Sequence, residues 1–139
     1  MDSGGTATRR PYRRLRAGAV PYDARVDDCV FCKIAAKELP ATVVEETDTT
    51  VAFRDIAPKA PVHVLVIPKA HYRDLADLTA ADPGLAGQLF AAAARVAQAE
   101  GLSDGYRTIV NTGPHSGQEV FHVHVHVLGG RPLGPMISA

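Results

Sequence analysis

The sequence predicts an α+β domain built on an antiparallel sheet, and three observations support this prediction. Five short segments have the composition of strands, turns or proline-bearing loops join most of them, and two segments have helical patterns. The chain has 139 residues, of which 46% are hydrophobic and 22% charged, so one domain with a substantial core is expected. No apolar run reaches the ~18 residues that a membrane-spanning helix needs.

The first 25 residues are expected to form a disordered basic tail. They contain six arginines and two aspartates and lack a periodic apolar pattern. Arg13-Arg14 is not followed by an apolar segment, so a twin-arginine export signal is not indicated, and a nucleic-acid-binding arm is the alternative. Residues 26–139 carry nine basic and thirteen acidic side chains and are expected to form the single domain. This mildly acidic part predicts neither nucleic acid nor a membrane as partner, and a cytoplasmic location is expected.

The N-terminal half of the domain is predicted to form one helix and three strands. Asp28 can cap a helix over 29–39, which Pro40 ends. Three segments rich in β-branched residues predict strands: 41–45, 50–55 and 62–67. The turn at 47–49 makes the first two a hairpin, and Pro68 stops the third.

The C-terminal half is predicted to form a long helix and two strands. Asp82-Pro83 combines a cap with a first-turn proline, and the apolar period that follows runs to a stop at Gly101. Many alanines favour this helix and permit close packing on a sheet. Strands are predicted at 106–111 and 119–128, with a glycine-bearing loop at 112–118 between them.

Histidine and valine alternate from His122 to Val127 on the last predicted strand. Because side chains of a strand alternate between faces, the three imidazoles should emerge on one face, about 6.5–7 Å apart. Crowding imidazoles costs solvation and adds repulsion once they are protonated, so packing alone does not account for the pattern. Such a strand is typical of metal ligation or of phosphate chemistry.

The loop before this strand adds groups that can bind phosphate. Its glycines let backbone N–H groups approach an anion, and the side chains of Asn111 and Gln118 can donate to its oxygens. A neutral imidazole among such donors is a good nucleophile toward phosphorus, and His124, flanked on both sides, is the best placed. His126 can then donate to a phosphoryl oxygen or protonate a leaving group.

The segment from Phe121 to Arg131 resembles the signature of the histidine triad family, in its nucleotide-binding phosphoramidase branch of the zinc-containing bacterial type. Further segments match in the same order, so the resemblance covers residues 27–134: 28–34, 38–40, 52–58, 60–69 with His71, 106–111 and 117–118. The resemblance implies a five-stranded antiparallel sheet with two helices, usually paired as a homodimer. It also implies a hydrolase that binds purine nucleoside monophosphates and cleaves adenosine 5′-phosphoramidates.

The same resemblance implies roles for individual residues. His124 is the expected nucleophile, which forms a transient nucleotidyl-histidine, His126 contacts the α-phosphate, and His63 orients the site. Asp55 is expected to accept hydrogen bonds from the ribose hydroxyls. The apolar residues implied to contact the nucleotide are Phe31, Ile34, Phe53, Ile56 and Leu65. The residues implied to surround the phosphate are Asn111, Gly117, Gln118 and Glu119.

Position 119 departs from the family pattern, because it is Glu where many animal members have Ser. A carboxylate near a phosphate is unfavourable unless it turns away or is protonated, although its backbone N–H can still serve.

Cys29 and Cys32 are the only cysteines of the chain. A disulfide is not expected in a cytoplasmic protein, and a thioredoxin-like pair needs a βαβ setting that does not surround this motif. Two thiolates at this spacing supply half of a tetrahedral zinc site, and two buried thiols are the alternative. In one branch of the resembled family, two cysteines and two histidines hold zinc, which implies a structural zinc site of Cys29, Cys32, His71 and His122.

Three alternatives to a phosphoramidase stay open on the sequence. They are a dinucleoside polyphosphate hydrolase of the same family, a non-catalytic nucleotide-binding regulatory module, and an enzyme whose three histidines bind one catalytic zinc. The ending Leu128-Gly-Gly-Arg131 favours the phosphoramidase branch. The choice between AMP and GMP also stays open, because a ribose carboxylate and an apolar base pocket fit both.

Overall fold

The structure, a computed structural model, describes residues 28–137 and confirms the α+β class with a five-stranded antiparallel sheet. The strands, in sheet order β1-β2-β3-β5-β4, are β1 (Val43–Glu46), β2 (Thr50–Arg54), β3 (Val62–Pro68), β5 (Val125–Gly129) and β4 (Tyr106–Ile109). The α-helices of these residues are α1 (Val30–Ala35), α2 (Leu75–Ala81) and α3 (Pro83–Ala99), and none of them is long and apolar enough to cross a membrane. The tail expected at 1–25 lies outside the described residues.

The two faces of the sheet have different partners. On one face, alternate valines of β3 and β5 pack with α3 in the main hydrophobic core: Val64, Val66, Val125 and Val127. Each such buried side chain contributes about 1.5–3 kcal/mol to folding. On the other face, Leu65 and Ile67 pack with Phe31 of α1 and Phe53 of β2 in a smaller cluster. The second face therefore leaves room for a site between α1 and the sheet.

The long helix α3 begins and packs as its sequence predicts. The Asp82 carboxylate accepts a hydrogen bond from Leu85 N at 3.0 Å, and Pro83 occupies the first turn. The buried stripe consists of Leu85, Ala86, Leu89, Ala92, Ala93, Val96 and Ala97. The helix thus lies across the valine face of the sheet.

The first helix is shorter than the predicted span of 29–39, because it ends at Ala35. Lys37 takes a left-handed conformation with φ of 66°, a position at which glycine is usual. Lys37 N donates to Ile34 O at 3.0 Å and Glu38 N donates to Lys33 O at 2.8 Å. This pair of bonds is a Schellman closure, and no glycine in the sequence announces it.

The sequence analysis assigns no element to residues 69–81, where the structure contains α2. Its N-cap is Asp74, whose Oδ1 accepts from Asp77 N, and Asp77 Oδ2 accepts from Arg73 N just before the cap, both at 2.9 Å. The fold therefore has three α-helices in its described part, where two were expected.

The last strand begins at Val125, six residues after the predicted start at 119. Its ladder with β3 ends at the pair Val66 and Val125, and the same register would place Val123 opposite Pro68, which has no N–H to donate. Val123 N donates instead to Tyr72 O at 2.8 Å. The prediction of one continuous histidine strand was therefore wrong for 119–124, although the valine face is buried as expected.

Candidate functional site

A cavity of about 610 Å³ opens on the sheet face that carries Phe31 and Leu65. All five apolar residues expected at the nucleotide line it: Phe31, Ile34, Phe53, Ile56 and Leu65. So do six polar residues of the expected set: Asp55, His63, Asn111, Glu119, His124 and His126, together with Gly117. The sequence analysis missed several apolar lining residues: Val30, Pro40, Ala41, Ile109, Val120 and Leu128. Of these, Ile109 pairs with His126 across the sheet, a register that sequence alone does not give.

Aromatic contacts shape the apolar end of the cavity. The ring of Phe31 packs edge-on against Phe53, with centroids 5.5 Å apart, and against His124 at 5.1 Å. Ile56 is 99% exposed and lies at the rim. A flat heteroaromatic ring could bind between such side chains.

The hydrogen bonds of His63 and His126 determine which nitrogen of each ring carries a proton. Lys59 N donates to His63 Nδ1 at 3.0 Å, so a neutral His63 carries its proton on Nε2. His63 Nε2 then donates to His126 Nδ1 at 2.9 Å. His126 in turn carries its proton on Nε2, the nitrogen left for a ligand in the cavity.

In His124 the proton lies on the other ring nitrogen than in His63 and His126. Its Nδ1 donates to the carbonyl oxygen of His122 at 2.8 Å, because a carbonyl can only accept. A neutral His124 therefore keeps a lone pair on Nε2. With ring centroids 5.0 Å apart, His124 and His126 place a potential nucleophile next to a hydrogen-bond donor.

Burial keeps these imidazoles neutral near pH 7. It lowers the pKa of His124 and of His63 below the ordinary value. Burial, together with the neighbouring His124 and His63, lowers the pKa of His126 to about 4. The tautomers described above are accordingly those of neutral rings.

Asp55 lies at the end of β2, beside the histidine pair. One carboxylate oxygen accepts a hydrogen bond from Ala57 N at 2.8 Å, and the other lies 3.4 Å from His63 Nε2. The carboxylate is thus held at the cavity wall, where it could accept bonds from hydroxyl groups.

Gln118 is the one expected binding residue that does not line the cavity. Its side-chain oxygen accepts from Gly113 N at 2.8 Å, and its Nε2 donates to Arg73 O and to Val120 O. The side chain therefore braces the loop instead of facing a ligand. Gly117, whose φ is 92°, permits the turn that leads into this arrangement.

Cys29, Cys32, His71 and His122 form a second group, which we call the cysteine–histidine cluster. Their ligand atoms all lie within 4.8 Å of one another. Cys32 Sγ lies 3.3 Å from His71 Nδ1 and 3.5 Å from His122 Nδ1, and Cys29 Sγ lies 3.4 Å from His122 Nδ1. His122 Nε2 donates to Pro68 O at 2.8 Å, which leaves its Nδ1 unprotonated toward the sulfurs.

The geometry of this cluster fits a tetrahedral metal ion. For metal–sulfur and metal–nitrogen bonds of about 2.3 and 2.0–2.1 Å, neighbouring sulfur and nitrogen ligands are about 3.5 Å apart. The distances of 3.3–3.5 Å agree with this value. Hydrogen bonding with Cys32 lowers the pKa of the Cys29 thiol to about 2, and His122 and His71 act in the same direction against burial. Thiolate and neutral imidazole are the forms that bind metals.

The three histidines of the alternating run do not converge on one point. His122 belongs to the cysteine–histidine cluster, whereas His124 and His126 line the cavity. Asp55, His63 and His126 form a further set of possible metal ligands, whose ligand atoms also lie within 4.8 Å of one another. In this set, however, His63 Nε2 and His126 Nδ1 share a hydrogen bond and so face each other. The arrangement does not support a single catalytic metal held by the whole run.

Comparison with known proteins agrees with this geometry. The family model described as HIT domain matches residues 36–133. The chain is 45% identical over 113 residues to the purine nucleoside phosphoramidase of Escherichia coli strain K12, covering 81% of this chain and 95% of that protein. Among solved structures, the HIT family hydrolase from Legionella pneumophila is 50% identical with a TM-score of 0.74, covering 76% and 96% of the two chains. The HIT family hydrolase from Clostridium thermocellum is 43% identical with a TM-score of 0.78, covering 82% and 100%.

Proposed function

The chain belongs to the HIT domain family and has hydrolases as relatives, and from that premise we propose that it cleaves the P–N bond of purine nucleoside 5′-phosphoramidates. The observation that carries the proposal is the pairing of tautomers at the cavity. His124 offers a lone pair on Nε2, while His126 offers an N–H beside it. A nucleophile beside a donor that can stabilise charge on a phosphoryl oxygen favours attack on phosphorus.

The reaction follows from these two groups in two displacements. His124 Nε2 attacks the α-phosphorus, the P–N bond to the leaving group breaks, and its electron pair departs with the amine, which takes up a proton from solvent. His126 donates its Nε2–H to a phosphoryl oxygen and stabilises the developing charge. Water then attacks the phosphorus, the bond to His124 breaks, and a proton returns to solvent as the nucleoside monophosphate leaves.

The remaining cavity residues suit a purine nucleotide. Phe31, Phe53 and Leu65 form an apolar surface for the base. The Asp55 carboxylate is positioned to accept bonds from ribose hydroxyls, and the backbone at Gly117 and the Asn111 amide would donate to the phosphate. This set fits AMP and GMP alike.

We further propose that the cysteine–histidine cluster holds a structural zinc ion. Two thiolates and two imidazoles satisfy all four positions of tetrahedral zinc, which leaves none for a substrate. The ion would cross-link α1 to the segment before β5. Chelation is therefore expected to lower stability first, whereas a catalytic metal would lose turnover without unfolding.

A homodimer and a cytoplasmic location complete the proposal. Tyr106 on the edge strand β4 is 44% exposed and Phe90 on α3 is 39% exposed, so apolar surface is available to a second copy. The unbridged cysteine pair fits a reducing compartment. Light scattering of the purified protein tests the dimer, and cell fractionation tests the location.

The test of the enzyme is a single-turnover reaction with adenosine 5′-phosphoramidate, quenched and examined by intact-protein mass. Wild type should gain one acid-labile AMP, and His124→Ala should not. His115→Ala is the matched control, because His115 is exposed on the turn Pro114–Ser116 and outside the cavity. An adduct that persists in His124→Ala would exclude this nucleophile. AMP binding without turnover in every variant would favour the regulatory module.

A further inference from the structure

Glu119 is an acidic cavity residue whose side chain the proposed reaction does not use. It is exposed, lines the same cavity as His124 and His126, and lies two residues from Gly117 on the same loop. Between residues 28 and 137 the structure records no hydrogen bond and no ion pair for its carboxylate. A carboxylate at this position repels an anionic part of a ligand and attracts a cationic part.

The residues on both sides of Glu119 are held by contacts with the rest of the fold, so its backbone has a defined place beside the cavity. Gln118 is buried and bonds Gly113, Arg73 and Val120 through its amide. Val120 packs partly buried against the cluster of Phe31. Glu119 therefore lines the cavity from a segment that is held on both sides.

The other charged side chains of the cavity differ in how they are held. Both terminal guanidinium nitrogens of Arg54 donate to Glu100 at 3.0 Å. Asp55 accepts from Ala57 N, and the Lys59 ammonium donates to Ala57 O, so these two residues are held on the β2–β3 loop. A bond to a neutral carbonyl leaves the charge of Lys59 in place, so the cavity carries this cation on the β2–β3 loop and the Glu119 carboxylate on the loop before β5.

We propose that Glu119 selects the leaving group by charge, favouring phosphoramidates whose departing amine carries a further cationic group over those with an anionic one. This inference rests on the proposed function. In the proposed function the apolar residues and Asp55 bind the nucleoside, whereas Glu119 lies next to Gly117 and Gln118 on the loop before β5, away from those groups in the chain, and is assigned to the leaving group. The same carboxylate repels a polyphosphate leaving group, so a dinucleoside polyphosphate is a poor substrate.

The experiment compares adenosine 5′-phosphoramidates of three amines of equal reach: butylamine, 1,4-diaminobutane and 4-aminobutanoate. For wild type, kcat/KM should fall in the order diaminobutane, butylamine, aminobutanoate, with about tenfold or more between the extremes, the scale of one partly solvated charge pair. Added salt should compress this ratio, because the charges are exposed.

Two variants and one control isolate the carboxylate. Glu119→Gln should reduce the ratio between the cationic and anionic substrates to about threefold or less, and Glu119→Lys should invert it. Asp104→Asn removes the same charge from an exposed site outside the cavity and should keep the wild-type ratio. A ratio that is unchanged in Glu119→Gln, or lost equally in Asp104→Asn, overturns the assignment.

Different results would refute charge selection by Glu119 and the phosphoramidase function. If wild type releases AMP from all three substrates at equal rates, the phosphoramidase function holds and charge selection by Glu119 is refuted. If wild type hydrolyses none of them and forms no adduct on His124, the proposed function fails and the inference falls with it.

Discussion

Two histidine groups lie next to each other in this fold and differ in what their rings face. In the cysteine–histidine cluster, His71 and His122 are 2% and 0% exposed and face sulfur atoms. The second group, His63, His124 and His126, which we call the cavity histidines, lines the cavity, although His63 and His124 are themselves buried. His122 and His124 are two residues apart and belong to different groups, and a hydrogen bond from His124 Nδ1 to the His122 carbonyl oxygen joins them. Four donors directed at one point suit a structural ion, whereas rings in the wall of a cavity suit chemistry.

The largest expected effect comes from breaking the cysteine–histidine cluster. Cys32→Ser removes the sulfur that contacts both histidines, so bound zinc should be lost and the free energy of unfolding should fall by about 3–5 kcal/mol. Metal analysis and urea unfolding measure the two effects.

His124→Ala is the matched control, since it alters only the cavity histidines. It should retain metal and most of its stability while it loses turnover. If Cys32→Ser keeps its stability, or if His124→Ala loses metal, the division between the two groups is incorrect.

A smaller effect is expected when the tautomer of His126 is no longer fixed by its neighbour. His63→Phe removes the hydrogen bond that His63 Nε2 donates to His126 Nδ1, so the proton of His126 is no longer confined to Nε2. The value of kcat should therefore fall about 10²-fold, with little change in metal content. Stopped-flow or quenched kinetics measure kcat. An unchanged kcat would show that the His63–His126 bond does not prepare the donor.

The pH dependence of stability provides a third comparison. Because the pKa of His126 is about 4 in the fold and ~6.5 when unfolded, the unfolded chain binds more protons between these values. The free energy of unfolding is therefore not reduced by His126 above pH ~6.5 and decreases as the pH falls toward 4. The decrease due to His126 should be about 1–2 kcal/mol once the partial exposure of the ring is allowed for.

Urea unfolding from pH 7.5 to 4.5 should therefore give a shallower pH slope for His126→Gln than for wild type. Comparing the two proteins cancels the titration of the cysteine–histidine cluster, which both retain. Equal slopes would mean that His126 titrates normally in the folded protein.

The smallest effect concerns the base pocket. Phe31→Leu removes the ring that packs on Phe53 and His124, so KM for the nucleotide should rise about 3–10-fold with little change in kcat. Val43→Ala, at an exposed position of β1 outside the cavity, is the control and should leave KM unchanged. A loss confined to kcat would mean that Phe31 positions His124 and does not bind the base.

The sequence predicts much of this molecule, and what it misses has physical reasons. Strand β3 and helix α3 follow their predictions because proline and capping residues mark their ends locally. The early end of α1 could not be predicted, since a lysine occupies the left-handed position where glycine is usual. Helix α2 was predictable from Asp74, a typical N-cap residue, followed by the acidic Asp77 in the first turn.

At the site, too, the sequence does not predict features that depend on contacts between distant segments. The alternation of histidine and valine identifies the buried valine face, but the break of the ladder at Pro68, which separates His122 from the strand, depends on pairing with a distant segment. The bracing role of Gln118 likewise depends on partners as far as Arg73. Local pattern and family resemblance thus predict most of the residues that line the cavity, whereas long-range pairing decides the direction of each side chain.

The cysteine–histidine cluster also has a consequence for the order of folding. Cys29 meets His122 across 93 positions of chain, and Cys32 meets His71 across 39. Contacts of such sequence separation are among the last to form, because closing long loops costs entropy before any bond is gained. A metal ion bound there should leave the folding rate almost unchanged and should slow unfolding, because the site would form only after the sheet has assembled.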